Sequence, residues 1–178
     1  EVVGRPKTWT FVPGAAAKRD EAVSETSGRI YANFGELEPR AHSIELTARR
    51  RIFAPHTRGL GHIVVEGFVM EHCGNQYPTN FWNTPKWAQA GALGLRGGHH
   101  WVVRGNMIRY ANTVALDMGS GGSDNERESK SVPGAPMGHD NLIEENYIVD
   151  NGSAGIIGSG TTRLIVRGNV IARNNNRR

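Results

Sequence analysis

The chain has 178 residues, 38% of them hydrophobic and 23 of them glycine, which suffices for a domain with a real core and excludes a disordered or membranous class. No apolar run approaches the roughly 20 residues that span a bilayer, and the single cysteine, Cys73, forms no internal disulfide and leaves the redox compartment open. A formal charge of +4 attracts anionic partners, yet the Lys and Arg residues are scattered, with Arg49-Arg50-Arg51 the densest run; this argues against nucleic acid and suits an acidic polysaccharide.

Residues 1–40 carry no repeat and read as an irregular segment that leads into the rest. The chain begins at Glu1 with no apolar leader, as a processed product or a piece of a longer protein would. Trp9-Thr10-Phe11-Val12-Pro13 and Arg29-Ile30-Tyr31-Ala32-Asn33-Phe34 predict short strands on either side of a polar stretch, 15–27. Ile44-Glu45-Leu46-Thr47-Ala48-Arg49 alternates with period two and predicts a half-buried entry strand.

One word then recurs four times. Val64-Val65-Glu66-Gly67-Phe68-Val69-Met70 returns as Val102-Val103-Arg104-Gly105-Asn106-Met107-Ile108, as Leu142-Ile143-Glu144-Glu145-Asn146-Tyr147-Ile148 and as Ile165-Val166-Arg167-Gly168-Asn169-Val170-Ile171. The successive spacings are 38, 40 and 23 residues, so a basic unit of 23 carries inserts of 15 and 17. Such a unit is too short to bury a face alone and has to be covered by its neighbours. Its columns are β-branched or aliphatic, in short runs broken by Gly and Asn. The pattern predicts an all-β fold over 41–178, a parallel β-helix (solenoid) of about four coils with two long loop inserts.

Two columns fix the register. Glu66, Arg104, Glu144 and Arg167 set opposite charges on neighbouring coils, each facing pair contributing about 0.2–1 kcal/mol. Asn106, Asn146 and Asn169 sit where the coil turns, and their side chains serve the turn rather than a ligand.

The first insert, 74–91, holds Tyr77, Phe81, Trp82 and Trp87, either as a satellite core or as a platform for stacked sugar rings. The second, 120–139, is polar, and reads as a solvated loop or as a functional one. The first precedes a strand at 92–95 and the second follows its equivalent at 114–118, so together they wall a groove. With Val114, Leu116 and Met118 pointing inward, Ala115, Asp117 and Gly119 form its floor, and Ile157 takes the place of Asp117 one coil on.

Asp117 is the leading carboxylate, its plain alternative being an edge charge. Glycoside hydrolysis uses two carboxyl groups, about 5–5.5 Å apart for retention and about 6.5–9.5 Å for inversion. Asp124, Glu126 and Glu128 from the insert and Asp150 from the next corner are the candidate partners. Arg96, Lys130 and His139 join Tyr77, Trp82 and Trp87 as candidate substrate-binding residues. His72, His99, His100 and His139 are further acid–base candidates. The His99-His100 pair lacks the other ligands of a metal site and reads as a turn, so no metal is assigned.

Gly61-His62-Ile63-Val64-Val65-Glu66-Gly67-Phe68-Val69-Met70-Glu71-His72, with Gly91-Ala92-Leu93-Gly94 and the word from His100 to Ile108, resembles right-handed parallel β-helix proteins of the pectate-lyase-like superfamily. Within that group the chain is most similar to large bacterial glycoside hydrolases of the family 141 kind, over most of residues 28–176. The resemblance implies a right-handed helix and a secreted or periplasmic enzyme that hydrolyses glycosidic bonds of a cell-wall polysaccharide without a cofactor. Two alternatives stay open. One is a polysaccharide lyase of the same fold, with calcium or a basic cluster against a uronate and Lys130 or Arg96 as base. The other is a non-catalytic carbohydrate-binding or structural module. Family members have many more coils, and this chain ends in Asn174-Asn175-Asn176-Arg177-Arg178 with no cap. A second copy, missing coils or the charged tail itself is therefore expected to cover the open end.

Overall fold

Short aliphatic runs broken by charged residues, glycine and asparagine generate short strands joined by tight corners. The computed structural model describes residues 8–13, 28–75, 90–119, 138–158 and 160–176. Contacts divide the chain into two units, Glu1–Leu46 and Thr47–Arg178. The described residues contain no α-helix, and so none that is long and apolar enough to cross a membrane.

In the first unit, β1 (Thr8–Pro13) and β2 (Gly28–Asn33) pair antiparallel, with Thr8 opposite Asn33. A 3-10 turn, Pro39–Ala41, follows, capped by the Glu38 side chain, which accepts from Arg40 N–H at 3.2 Å. The alternating stretch 44–49 forms no strand: Ile44 is 57% and Leu46 62% exposed. Alternation marks a candidate strand, but a strand also needs a continuous ladder, and the bond from Gly74 N–H to the Arg49 carbonyl at 2.8 Å does not make one.

In the second unit each of the first three repeats gives one strand to each of three parallel sheets, and the last gives a strand to two of them. The first repeat supplies β3 (Val64–Glu66), β4 (Val69–Glu71) and β5 (Gly91–Gly94), and the second β6 (Val102–Arg104), β7 (Met107–Arg109) and β8 (Val114–Asp117). The third supplies β9 (Leu142–Glu144), β10 (Tyr147–Val149) and β11 (Ala154–Ile157), and the last β12 (Ile165–Arg167) and β13 (Val170–Ala172). The sheet orders are β12-β9-β6-β3, β13-β10-β7-β4 and β11-β8-β5. The register is the one read from the repeat. Val65, Val103, Ile143 and Val166 form one column, and Met70, Ile108, Ile148 and Ile171 another.

Each of three corners uses a left-handed residue. Before the first sheet these are His62, His100, Asp140 and Arg163, and between the first and second sheets Gly67, Gly105, Glu145 and Gly168. After the second sheet they are His72, Tyr110, Asp150 and Arg173. A non-glycine residue is uncommon there, His and Asp less so than most, so the fold imposes these conformations repeat by repeat. At the middle corner the next residue is the exposed Phe68 in the first repeat and an Asn in the other three: Asn106 accepts from Phe68 N–H at 3.0 Å, Asn146 Oδ1 accepts from both the N–H and the Nδ2 of Asn106 at 3.0 Å, and Asn169 repeats the pattern at 2.9 Å. A second ladder runs through Asn151 and Asn174 at the third corner.

Opposite charges tie neighbouring repeats along the outside, Glu66 to Arg104 at 2.9 Å and Glu144 to Arg167 at 2.8 Å as the alternation predicts, together with Glu71 to Arg109 at 2.6 Å. The core runs down the middle through Val103, Ile108, Leu116, Ile143, Ile148 and the fully buried Trp101, whose Nε1 donates to the Leu60 carbonyl at 2.6 Å.

Cys73 occupies the same column as Asn151 and lies in this core, its thiol donating to the Arg50 carbonyl at 2.8 Å. Burial pushes its pKa up to about 11. The native thiol is therefore expected to resist alkylation at pH 8 and to react at once in urea, which a thiol-titration time course checks. Above its ordinary pKa of 9.0 the folded chain holds the thiol proton that the unfolded chain has lost. Stability accordingly falls as the pH rises from there toward 11.

Candidate functional site

The third sheet is where the two inserts leave the repeat. Residues 76–89 precede β5 and residues 120–137 follow β8, and both lie outside the described residues. Tyr77, Trp82, Trp87, Asp124, Glu128 and Lys130, all expected at the site, fall within them, as do Phe81 and Glu126.

Phe53 extends this sheet by a parallel bridge to Leu93, which brings Arg51 against its outer face. Its Nη1 lies 2.8 Å from Asp117 Oδ2, and the same carboxylate oxygen accepts from Gly91 N–H. The pair meets over β5, where the chain has glycine. A Cβ on Gly94 would collide with the Arg51 guanidinium and Asp117 Oδ2, and one on Gly91 with the backbone and carboxylate of Asp117. Asp117 has Gly94 beside it on one side and Ile157 on the other.

The expected open floor looks different in the structure. Asp117 is 3% exposed, and residues 114–119 are buried on both faces, with Ala115 in the core beside Leu116 and Met118. Period-two alternation separates inside from outside only where one face meets water, and here both are covered. Arg96, 4% exposed and left-handed at φ 50°, donates from Nη1 to the carbonyls of Pro55 and His56, both at 2.9 Å. It braces the approach to Arg51 rather than opening to solvent. Asp150 sits at the third corner with both carboxylate oxygens on Arg173 at 2.8 Å, an attachment that lowers its pKa.

His139 belongs to a second cluster, at the corner before the first sheet. Parallel bridges align Gly61, His99, His139 and Thr162 in one column, and the next residues, His62, His100, Asp140 and Arg163, form the left-handed column beside it. The rings of His99 and His139 stack at 5.0 Å and those of His62 and His100 at 4.8 Å. The two stacks stand edge-on, His99 to His100 at 5.2 Å. Burial and then the neighbouring imidazoles of His139, His100 and His62 lower the His99 pKa. Asp140 is held well below the usual carboxylate range by Arg163, which grips both its oxygens at 2.6 and 2.7 Å, and by His139.

The pair His99-His100 thus has the neighbours that adjacency in sequence does not supply. His62 lies one repeat before and His139 one repeat after, and only alignment of the corner columns brings them together. Potential ligand atoms of His62, His99 and His100 lie within 4.8 Å of one another, and so do those of His100, His139 and Asp140. His72, the remaining acid–base candidate, lies apart at the third corner with its ring 5.2 Å from that of Tyr110. No protein-family model matches the chain, and no curated protein or solved structure was found that is similar to it.

Proposed function

We propose that residues 47–178 form a right-handed parallel β-helix of the pectate-lyase-like kind and that the protein acts outside the cytoplasm as a carbohydrate-active enzyme. Its reaction is hydrolysis of glycosidic bonds in a cell-wall polysaccharide, centred on Asp117. Parallel strands recurring in fixed order through three sheets support the helix, and the rule that parallel crossovers are right-handed supplies its hand.

The observation that carries the activity is the Asp117–Arg51 pair on the strand column from which both inserts depart. A buried ion pair is a poor source of stability, since apolar residues of similar volume in its place are often as stable or more so. Glycines at 91 and 94 clear the space above the strand for it. A fold that accommodates such a pair at its most elaborated edge is equipped for chemistry there.

An ion-paired carboxylate serves as nucleophile, as base toward water, or as counter-charge to an oxocarbenium-like transition state, and the proton for the leaving oxygen comes from a second carboxyl group. Asp150 is engaged by Arg173, so the acid is assigned to the insert, to Asp124 or Glu128. The aromatic residues Tyr77, Trp82 and Trp87 of the other insert supply stacking area for sugar rings.

The test is a panel of neutral and acidic polysaccharides, scored for new reducing ends and for unsaturated products absorbing in the ultraviolet. Wild-type protein is expected to release reducing ends without unsaturation, and Asp117→Asn to lose about 100-fold or more of that rate. Unsaturated product would replace hydrolysis by elimination. Binding without turnover on every glycan would reduce the protein to a binding module.

A further inference from the structure

We propose that His62, His99 and His100 bind a divalent first-row transition-metal ion through one ring nitrogen each, with solvent completing the coordination. The proposal is independent of the reading of Asp117.

Three observations carry it. First, the geometry: Nδ1 of His99 faces Nδ1 of His100 at 2.9 Å, and His62 brings a third ring nitrogen within 4.8 Å of both. Like-on-like stacking within one column is ordinary in a repeating sheet, but it does not turn two stacks edge-on with their nitrogens facing. Such an approach accommodates one proton between the rings, whereas a metal accepts a lone pair from each. With metal–nitrogen bonds of about 2.0–2.1 Å, two ligands at a right angle stand roughly 2.9 Å apart, and two in a tetrahedron roughly 3.3 Å. The pair is therefore set for a right-angled site and needs an opening of only about 0.4 Å for a tetrahedral one.

Second, the site has a supporting shell. Nε2 of His100, the nitrogen turned away from His99, is 4.0 Å from Asp140 Oδ2. Arg163 holds that carboxylate from the far side at 2.6 and 2.7 Å, while His139 lies 2.7 Å from it and stacks on His99. At 4.0 Å the carboxylate acts on the His100 imidazole by its charge, and an approach of about 1 Å brings it to the hydrogen-bond distance at which such a partner fixes a ligating ring's tautomer and orientation. Third, the column makes room for it. The His99 ring lies over Gly61, where any Cβ would collide with the imidazole.

The donors select the ion. Imidazole nitrogen suits zinc, copper and nickel, while calcium and magnesium need oxygen ligands that this trio does not offer. His62 and His100 are exposed, which leaves positions on the ion open to water or to an incoming ligand.

The test uses untagged full-length chain stripped with chelator and titrated calorimetrically with Zn²⁺ and with Cu²⁺. One ion per chain is expected, with a rise in the thermal midpoint of the wild type when it binds. His99→Gln and His100→Asn are expected to weaken binding about tenfold or more, Asn being chosen because it tolerates the left-handed backbone at 100. His72→Gln, at another corner, is expected to change nothing. Absence of saturable uptake, or uptake that survives both substitutions in folded protein, overturns the site. Uptake lost in His139→Gln but kept in His62→Gln overturns the choice of trio in favour of His100, His139 and Asp140.

Discussion

Asn146→Ala is expected to lower the unfolding free energy by about 3–4 kcal/mol, read as a shift of the urea midpoint with an unchanged slope. Asn146 is 1% exposed and its amide is used on every side. Oδ1 accepts twice from Asn106, and Nδ2 donates to the Val103 carbonyl at 2.8 Å and to Asn169 Oδ1 at 2.9 Å. Truncation strands the Asn106 N–H in the core, at a cost of about 1–3 kcal/mol, and removes the other three side-chain bonds, among them the second donor to a Val103 carbonyl already in the β6–β9 ladder, at about 0.5–1.5 kcal/mol each. That is a large fraction of a typical stability of about 5–15 kcal/mol. Asn146→Asp offers no rescue, because it keeps the acceptor but turns an oxygen toward the Val103 carbonyl and Asn169 Oδ1. Asn169→Ala, at a half-buried position in the last repeat, is expected to cost only about 1 kcal/mol. Equal losses at 146 and 169 would sink the argument that burial sets the cost.

The Asn106/Asn146/Asn169 ladder, like the Val65 and Met70 columns, was legible in the sequence because the same residue type returns at the same place in the repeat. Where the type changes from repeat to repeat, the column hides. The second ladder, Asn151 and Asn174, continues upward as Ala111 and Cys73, so no run of identical residues announces it. The histidine corner passes from Gly61 through His99 and His139 to Thr162, and beside it from His62 and His100 to Asp140 and Arg163. Adjacent histidines were visible, but the inserts push their partners 37 to 41 residues away in the numbering, so the cluster forms only when the corners are superposed.

Arg51 was lost in a different way. It closes the basic run Arg49-Arg50-Arg51 and reads as one more surface charge, whereas the chain folds it onto Asp117, 66 residues on. The signal that could have found it lies in Gly91 and Gly94, two glycines within one strand, which mark a place where something crosses close to the backbone. The alternation at 44–49 erred in the opposite direction, because a local pattern was complete while the pairing it needs was missing.

Arg51→Met and Asp117→Asn are each expected to destabilise the chain by about 3–5 kcal/mol, while the double substitution costs about 1 kcal/mol. Either single change removes one charge of a largely buried pair and sets the other against a neutral side chain. Removing both takes away the charges together, and Asn at 117 retains an oxygen for the Gly91 N–H. The coupling energy from the double-mutant cycle therefore reports the ion pair itself, measured by urea unfolding of the four proteins. The double variant also separates scaffold from chemistry. If Asp117 is catalytic, Arg51→Met/Asp117→Asn folds with near wild-type stability and still cleaves no glycan. If the pair only holds Arg51 and β8 in place, the double variant regains turnover along with its stability, and the catalytic role assigned to Asp117 fails.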